Sequence, residues 1–178
     1  MTNDELRALV RSIPDYPKPG ILFRDITTLL KHPDGFRTLV DAISSRHARS
    51  GVSKVAGVEA RGFILGAAAA HAIGAGFVPV RKSGKLPGET MGEDYALEYG
   101  SDRVELHVGA IEAEERVLLV DDLIATGGTA NAAITLIERA QGHLVEAYFV
   151  IELPELGGRS RLEARGVRVH SLLSFDGH

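Results

Sequence analysis

Four consecutive apolar residues, Val117 to Val120, run directly into two aspartates, Asp121 and Asp122, and then into the small-residue stretch Leu-Ile-Ala-Thr-Gly-Gly-Thr129. A strand with one wet face alternates apolar and polar positions, whereas an unbroken apolar run bounded by charge belongs to a strand covered on both faces. That requirement selects a sheet with helices above and below it, as in a mostly parallel α/β architecture.

The rest of the chain fits the same plan. Val55 to Val58, Phe77 to Val80, Val145 to Ile151 and Val167 to Leu173 read as further strands. Between them, Phe63 to Ile73 and Ala130 to Ala140 carry helical patterns, and a further helix is expected from about Pro33 to Arg49, with Gly51 just past its end. Upstream, Asn3 or Asp4 caps a short helix with Leu6, Leu9, Val10 and Ile13 on one face, stopped by Pro14. The following Asp15 to Asp25 segment, broken by two prolines and a glycine, reads as an ordered loop with an extended end. Lys82 to Asp94 has three glycines and no apolar period, so it is expected to be flexible. Tyr95 to Tyr99 and Val104 to Val108 then read as paired strands. With no repeat or linker, the expectation is one domain over residues 1–178, including an N-terminal hood over about 1–30 and the loop over about 82–94.

Composition removes several function classes. The 20 basic and 24 acidic residues give a net charge of -4, which argues against a general nucleic-acid surface. No cysteine is present, which excludes disulfides, thiolate metal sites and a cysteine nucleophile. The start of the chain lacks a charged segment followed by an apolar run, and no stretch suits a membrane span, so the default location is the cytoplasm.

In parallel sheets, ligands sit beyond the carboxyl ends of the strands, where the chemistry-bearing residues of this chain collect. Unpaired amides at a helix start, with Gly127 and Gly128 allowing close approach, suit a phosphate, and Thr126 and Thr129 add hydroxyl donors. Asp121 and Asp122 would repel that phosphate but suit a sugar diol, which supplies two donors. The plain alternative is an acidic strand end followed by a helix capped by Thr129. The spacing is neither a dinucleotide fingerprint nor a Walker loop. Arg61, in Glu59-Ala-Arg-Gly62, stands at another strand end, where a guanidinium can clamp an oxyanion or simply pair with an acid. Arg81, Lys82 and Lys85 follow a third strand. They read as a neutralising cluster for a polyanionic group or as a solvated basic loop.

The segment Val117 to Thr129 also resembles the phosphoribosylpyrophosphate-binding motif of the type I phosphoribosyltransferases. Val80-Arg-Lys-Ser-Gly-Lys-Leu-Pro-Gly-Glu-Thr90, Tyr95-Ala-Leu-Glu-Tyr-Gly100 and Tyr16-Pro-Lys-Pro-Gly-Ile-Leu-Phe-Arg-Asp-Ile-Thr27 are similar to segments of that family's adenine-specific branch. The match extends from Asp15 through Glu152-Leu-Pro-Glu-Leu-Gly-Gly158. It implies the type I fold, a mostly parallel central sheet flanked by helices, with an N-terminal hood and a flexible catalytic loop. It also implies transfer of a phosphoribosyl group from 5-phosphoribosyl-1-pyrophosphate to adenine, yielding AMP and pyrophosphate.

The resemblance assigns residues by role. Asp121, Asp122, Ala125, Thr126, Gly127, Gly128, Thr129 and Tyr99 would bind the phosphorylated sugar. Arg61, Arg81, Lys82 and Lys85 would bind pyrophosphate, with Arg61 and Lys85 also catalytic, and Glu98 would assist proton loss from the base. Leu22, Phe23 and Arg24 would hold adenine, Phe23 by stacking and its neighbours through their main chain. Mg2+ is implied as a cofactor carried by substrate oxygens, with no metal ligand from the protein, and a homodimer is implied, with neither nucleic acid nor membrane as a partner. Transfer to another base, such as xanthine, hypoxanthine or a pyrimidine, stays open. A regulator that senses the same substrate would want a basic face or an added DNA-binding domain, which this short acidic chain lacks.

Overall fold

The computed structural model describes residues 1–96 and 100–177. In chain order the strands are β1 (Arg11–Pro14), β2 (Leu22–Asp25), β3 (Lys54–Val58), β4 (Gly76–Lys82), β5 (Thr90–Ala96), β6 (Ser101–His107), β7 (Arg116–Ile124), β8 (His143–Glu152) and β9 (Val169–Ser174). The helices are α1 (Asn3–Ala8), α2 (Thr27–Leu30), α3 (Pro33–His47), α4 (Arg61–Ile73), α5 (Gly128–Arg139) and α6 (Gly158–Glu163), with a 3-10 turn at Pro154–Leu156.

Seven strands form the central sheet in the order β5-β6-β4-β3-β7-β8-β9. From β4 to β9 neighbouring strands are parallel, while β6 joins β4 antiparallel and β5 pairs antiparallel with β6. The expected mostly parallel α/β sheet is therefore what the chain forms, with β7 in its interior.

Burial explains the apolar run. Val117, Leu118, Leu119 and Val120 are all fully buried, and they alternate between two cores. Val117 and Leu119 pack with Ile134 and Ile137 of α5, whereas Leu118 and Val120 pack with Leu39 and Ile43 of α3 and Leu65 of α4. Each such side chain contributes about 1.5–3 kcal/mol by leaving water. Parallel β3, β7 and β8 all deliver their carboxyl ends to one edge of the sheet, which puts Glu59, the Asp121-Asp122 pair and Glu152 near one another.

Two segments differ from the periodicity reading. The first helix ends at Ala8, and Ile13 lies in β1 opposite Phe23 of β2, so pairing of the hood ribbon overrides the helical spacing of Leu6, Leu9, Val10 and Ile13. The loop after β4 is also shorter than expected. Thr90 to Asp94 belong to β5, in register with His107 to Arg103, because cross-strand bonds impose order on a stretch with no apolar period. Among the described residues, no helix is long and apolar enough to cross a membrane.

Candidate active site

At the carboxyl edge of the sheet, a cleft of about 260 Å3 is lined by Glu59, Arg61, Lys82, Asp121, Asp122 and the loop from Leu123 to Ala130. The loop turns from β7 into α5 through Gly127, whose φ of +76° lies in the left-handed region that suits a residue without Cβ. Gly127 is the N-cap of α5, and among the described residues no side chain caps that end. The alternative of a Thr129-capped helix is thus not realised, and the first-turn amides are left to a ligand in the cleft. Behind the loop, Gly158 donates its N–H to the Ala125 carbonyl at 3.0 Å, and a Cβ there would lie 2.8 Å from Ile124 Cγ1 and 2.9 Å from the Gly127 nitrogen. The phosphate-type loop therefore rests on bare backbone.

The acid pair is buried. Asp121 is 8% and Asp122 5% exposed, and the Asp122 N–H donates to Asp121 Oδ1 at 2.8 Å. Burial, reinforced by the neighbouring charge of Asp122, pushes the Asp121 carboxyl well above the usual carboxylate range. Asp122 accepts from Arg61 Nε. Burial works against the Arg61 charge, but the acids around it outweigh that penalty and hold its pKa up.

The expected basic cluster is divided by the sheet. Consecutive strand residues point to opposite faces, so only one of Arg81 and Lys82 can face the cleft. Lys82 lines it, donating to Tyr95 Oη at 2.5 Å and to Asp102. Arg81 points the other way, donating from Nε to Glu59 at 3.1 Å and lying 5.8 Å from the Phe63 ring centroid. Lys85 is exposed and lies outside the residues that line the cleft, though its carbonyl accepts from Arg81 at 3.0 Å. Glu59, which has no role of its own in the sequence pattern, ties β3 to β4 by accepting from Arg81 and from the Lys82 N–H at 2.8 Å.

A second cleft, of about 430 Å3, opens beside the first and shares Arg61, Asp122, Leu123, Ala125 and Thr126 with it. Its walls are mainly apolar. Leu22, Phe23 and Arg24 of the hood line one side, and Leu153 and Leu156 line the other. Phe23 packs edge-on against Tyr16 with centroids 5.2 Å apart, and the Arg61 guanidinium lies 5.9 Å from its ring centroid. The Arg24 guanidinium is directed elsewhere, to Ser12 Oγ at 2.5 Å and the Asp176 carbonyl at 2.7 Å, which leaves its main chain as the part suited to a ligand. Strand β2 pairs only with β1, so its other edge carries main-chain donors and acceptors with no strand partner among the described residues.

Leu153 and Leu156 escaped the sequence reading. Their signal is two leucines three apart in a turn framed by Pro154 and Gly157, but nothing local says which cleft they cover. The turn is fixed by Arg159, which donates to Glu152 at 2.6–2.9 Å and to the Val169 carbonyl at 2.9 Å. Glu98 and Tyr99 lie outside the described residues. The structure thus gathers Arg61, Lys82, Asp121, Asp122 and Ala125 to Thr129 at one cleft and Leu22 to Arg24 at its neighbour, and separates Arg81 and Lys85 from both.

Comparison with known proteins shows the family and the fold. Residues 25–171 match the family model described as a phosphoribosyl transferase domain. An adenine phosphoribosyltransferase of Parvibaculum lavamentivorans is 62% identical over 98% of this chain and 99% of its own length. The crystal structure of adenine phosphoribosyltransferase from Rhodothermus marinus superposes with a TM-score of 0.92 at 51% identity, covering 97% of this chain and 98% of that one. The Saccharomyces cerevisiae enzyme, crystallised with an imino-altritol bisphosphate and adenine, has a TM-score of 0.90 at 42% identity, covering 96% and 98%.

Proposed function

This chain belongs to the phosphoribosyltransferase family, in its adenine phosphoribosyltransferase branch, and on that premise we propose that it transfers the 5-phosphoribosyl group of 5-phosphoribosyl-1-pyrophosphate to adenine, giving AMP and pyrophosphate. The observation that carries this reading is the meeting of two clefts of opposite character at Arg61 and Asp122. One combines uncapped helix amides with buried carboxylates, and the other combines an aromatic ring, leucines and a free strand edge. A phosphorylated sugar matches the first and a purine matches the second, so the reacting anomeric carbon falls at their junction.

Within this reading, the loop from Ala125 to Thr129 holds the 5-phosphate and Asp121 and Asp122 accept from the ribose hydroxyls. Arg61 and Lys82 neutralise the leaving pyrophosphate at the cleft wall. Lys85 serves it only after movement of the segment that follows β4, and Arg81, in β4 itself, serves it only by leaving Glu59. Phe23 stacks on adenine, with Leu153 and Leu156 against its opposite side, and the main chain of Leu22 and Arg24 reads its edge. Glu98 assists proton loss from the base, and Tyr99 lies near the phosphorylated sugar. Cleavage of the bond to pyrophosphate develops oxocarbenium character at the anomeric carbon, and adenine N9 attacks the opposite face with inversion. No covalent enzyme intermediate is required.

The donor chemistry of the sugar cleft suits Mg2+ carried on substrate oxygens: its carboxylates are hard oxygen donors, but Asp122 is already tied to Arg61. Bound in that way, the ion neutralises charge on the leaving group. We assign no protein side chain to hold it. By the same family likeness, residues 1–178 act as one catalytic domain in a cytoplasmic homodimer.

The test is nucleotide formation from 5-phosphoribosyl-1-pyrophosphate and Mg2+ with adenine, hypoxanthine, guanine, xanthine, uracil or orotate supplied singly. AMP from adenine, far above product from any other base, is expected. Product from another base in its absence from adenine would overturn the specificity.

A further inference from the structure

Lys82 reaches the sugar cleft from a built cradle. Its ammonium donates to Asp102 at the start of β6 and to Tyr95 Oη in β5, and Tyr95 Oη in turn donates to Asp102 Oδ2 at 3.1 Å. The second Asp102 oxygen accepts from the Arg103 N–H at 2.8 Å, which fixes the carboxylate in place. Tyr95 is 8% exposed and packs beside Gly128 at the start of α5, where a Cβ would lie 3.4 Å from the tyrosine ring. An ammonium has three donors, of which this cradle uses two, leaving one for the cleft.

We propose that Asp102 is a positioning residue that holds Lys82 at the cleft wall between turnovers, so that pyrophosphate and an internal carboxylate compete for the same ammonium. This rests on the phosphoribosyl-transfer reading and deepens it by assigning a device for pyrophosphate release. A pyrophosphate oxygen draws Lys82 from Asp102 while the diphosphate is bound. When the diphosphate leaves, Asp102 recaptures the lysine and lowers the cost of separating the opposite charges. The bond to Asp102 also draws that carboxyl below its usual range and, with Tyr95, raises the Lys82 pKa against the pull of burial, so both partners stay charged at neutral pH. Because Lys82 and Asp102 side chains are 37% and 31% exposed, the competition is moderate.

The experiment compares the parent protein, Asp102→Asn, Lys82→Met and the double variant, each checked for a cooperative melt, by pyrophosphate binding in calorimetry and by product inhibition. Asp102→Asn is expected to tighten pyrophosphate by about fivefold and to lower kcat while leaving kcat/KM for 5-phosphoribosyl-1-pyrophosphate unchanged or higher. In the Lys82→Met background the same substitution is expected to leave pyrophosphate affinity unaltered, a split that a merely structural role would not produce. Unchanged or weaker pyrophosphate binding in folded Asp102→Asn overturns the proposal, as does an equal effect with and without Lys82. Absence of pyrophosphate binding and turnover in the parent protein would instead remove the transfer reading itself, and the proposal with it.

Discussion

Replacing Gly158 with alanine tests whether the phosphate-type loop depends on a contact made from a distant segment. Gly158 has an ordinary φ, so a side chain adds no backbone strain there, and any cost comes from what its Cβ meets. That atom would fall inside the contact distance of the Ala125 carbonyl oxygen and within 2.9 Å of the Gly127 nitrogen, where ordinary contacts begin at 3.4 Å. The loop or the start of α6 must therefore shift by roughly half an ångström or more, an overpacking cost of about 1–3 kcal/mol. For a domain of this length that lowers Tm by about 2–12 °C. A displacement of 1 Å in a positioning element costs up to about 100-fold in rate, so kcat/KM for 5-phosphoribosyl-1-pyrophosphate is expected to fall by about tenfold or more. Gly166→Ala is the matched control: its φ of +79° costs a side chain about 1–2 kcal/mol, but no atom lies within 4 Å of the added carbon. Thermal melts and initial rates on both variants separate the effects. If Gly158→Ala loses stability like the control yet keeps its kcat/KM within twofold of the parent, the loop does not rest on Gly158 in the way described.

Asp121→Asn bears on the buried acid. A carboxyl whose folded pKa is raised contributes stability that is complete below the ordinary carboxylate range and is lost as pH rises through the folded value. The variant is therefore expected to melt higher than the parent at pH 8, with the gap narrowing at pH 5, while affinity for 5-phosphoribosyl-1-pyrophosphate falls; a gap that does not grow with pH would refute the assignment. Far from the cleft, Glu146 is 3% exposed, and although burial raises its pKa, Arg46 at 2.6–2.7 Å and His47 hold it down to about 2. Its contribution is present above the ordinary carboxylate range and lost as pH falls toward that value. Arg46→Met leaves that charge short of its main partner and is expected to cost about 2 kcal/mol in urea unfolding at pH 7, below the full buried-pair penalty because Arg46 is 39% exposed. The difference should shrink as pH falls from the ordinary carboxylate range toward about 2, and a constant difference would count against it. Phe23→Ala is expected to raise the KM for adenine by about tenfold and to leave that for 5-phosphoribosyl-1-pyrophosphate within twofold; equal rises in both would place Phe23 in hood folding rather than base binding.

The parts of the protein that depend on neighbours along the chain were legible in its amino-acid order. An unbroken Val117 to Val120 run needs two covered faces, the Asp121-Asp122 pair ends it, and Gly127 and Gly128 let the backbone turn tightly into α5. Short-range rules capture these features because the cause and the consequence lie within a few residues. Which neighbours those features meet is set by packing between distant segments. Sheet register sends Lys82 to the cleft and Arg81 to the opposite face, although the sequence offers them as one cluster. Pairing with β2 turns Ile13 from a helical position into a strand position, and pairing with β6 draws Thr90 to Asp94 out of the loop. Leu153 and Leu156 become a wall of the base cleft because Arg159 fixes their turn to Glu152. The Asp121 carboxyl shifts because the whole fold removes water from around it. In each case the deciding term is a contact or a desolvation between residues far apart in sequence, and no local pattern carries that information.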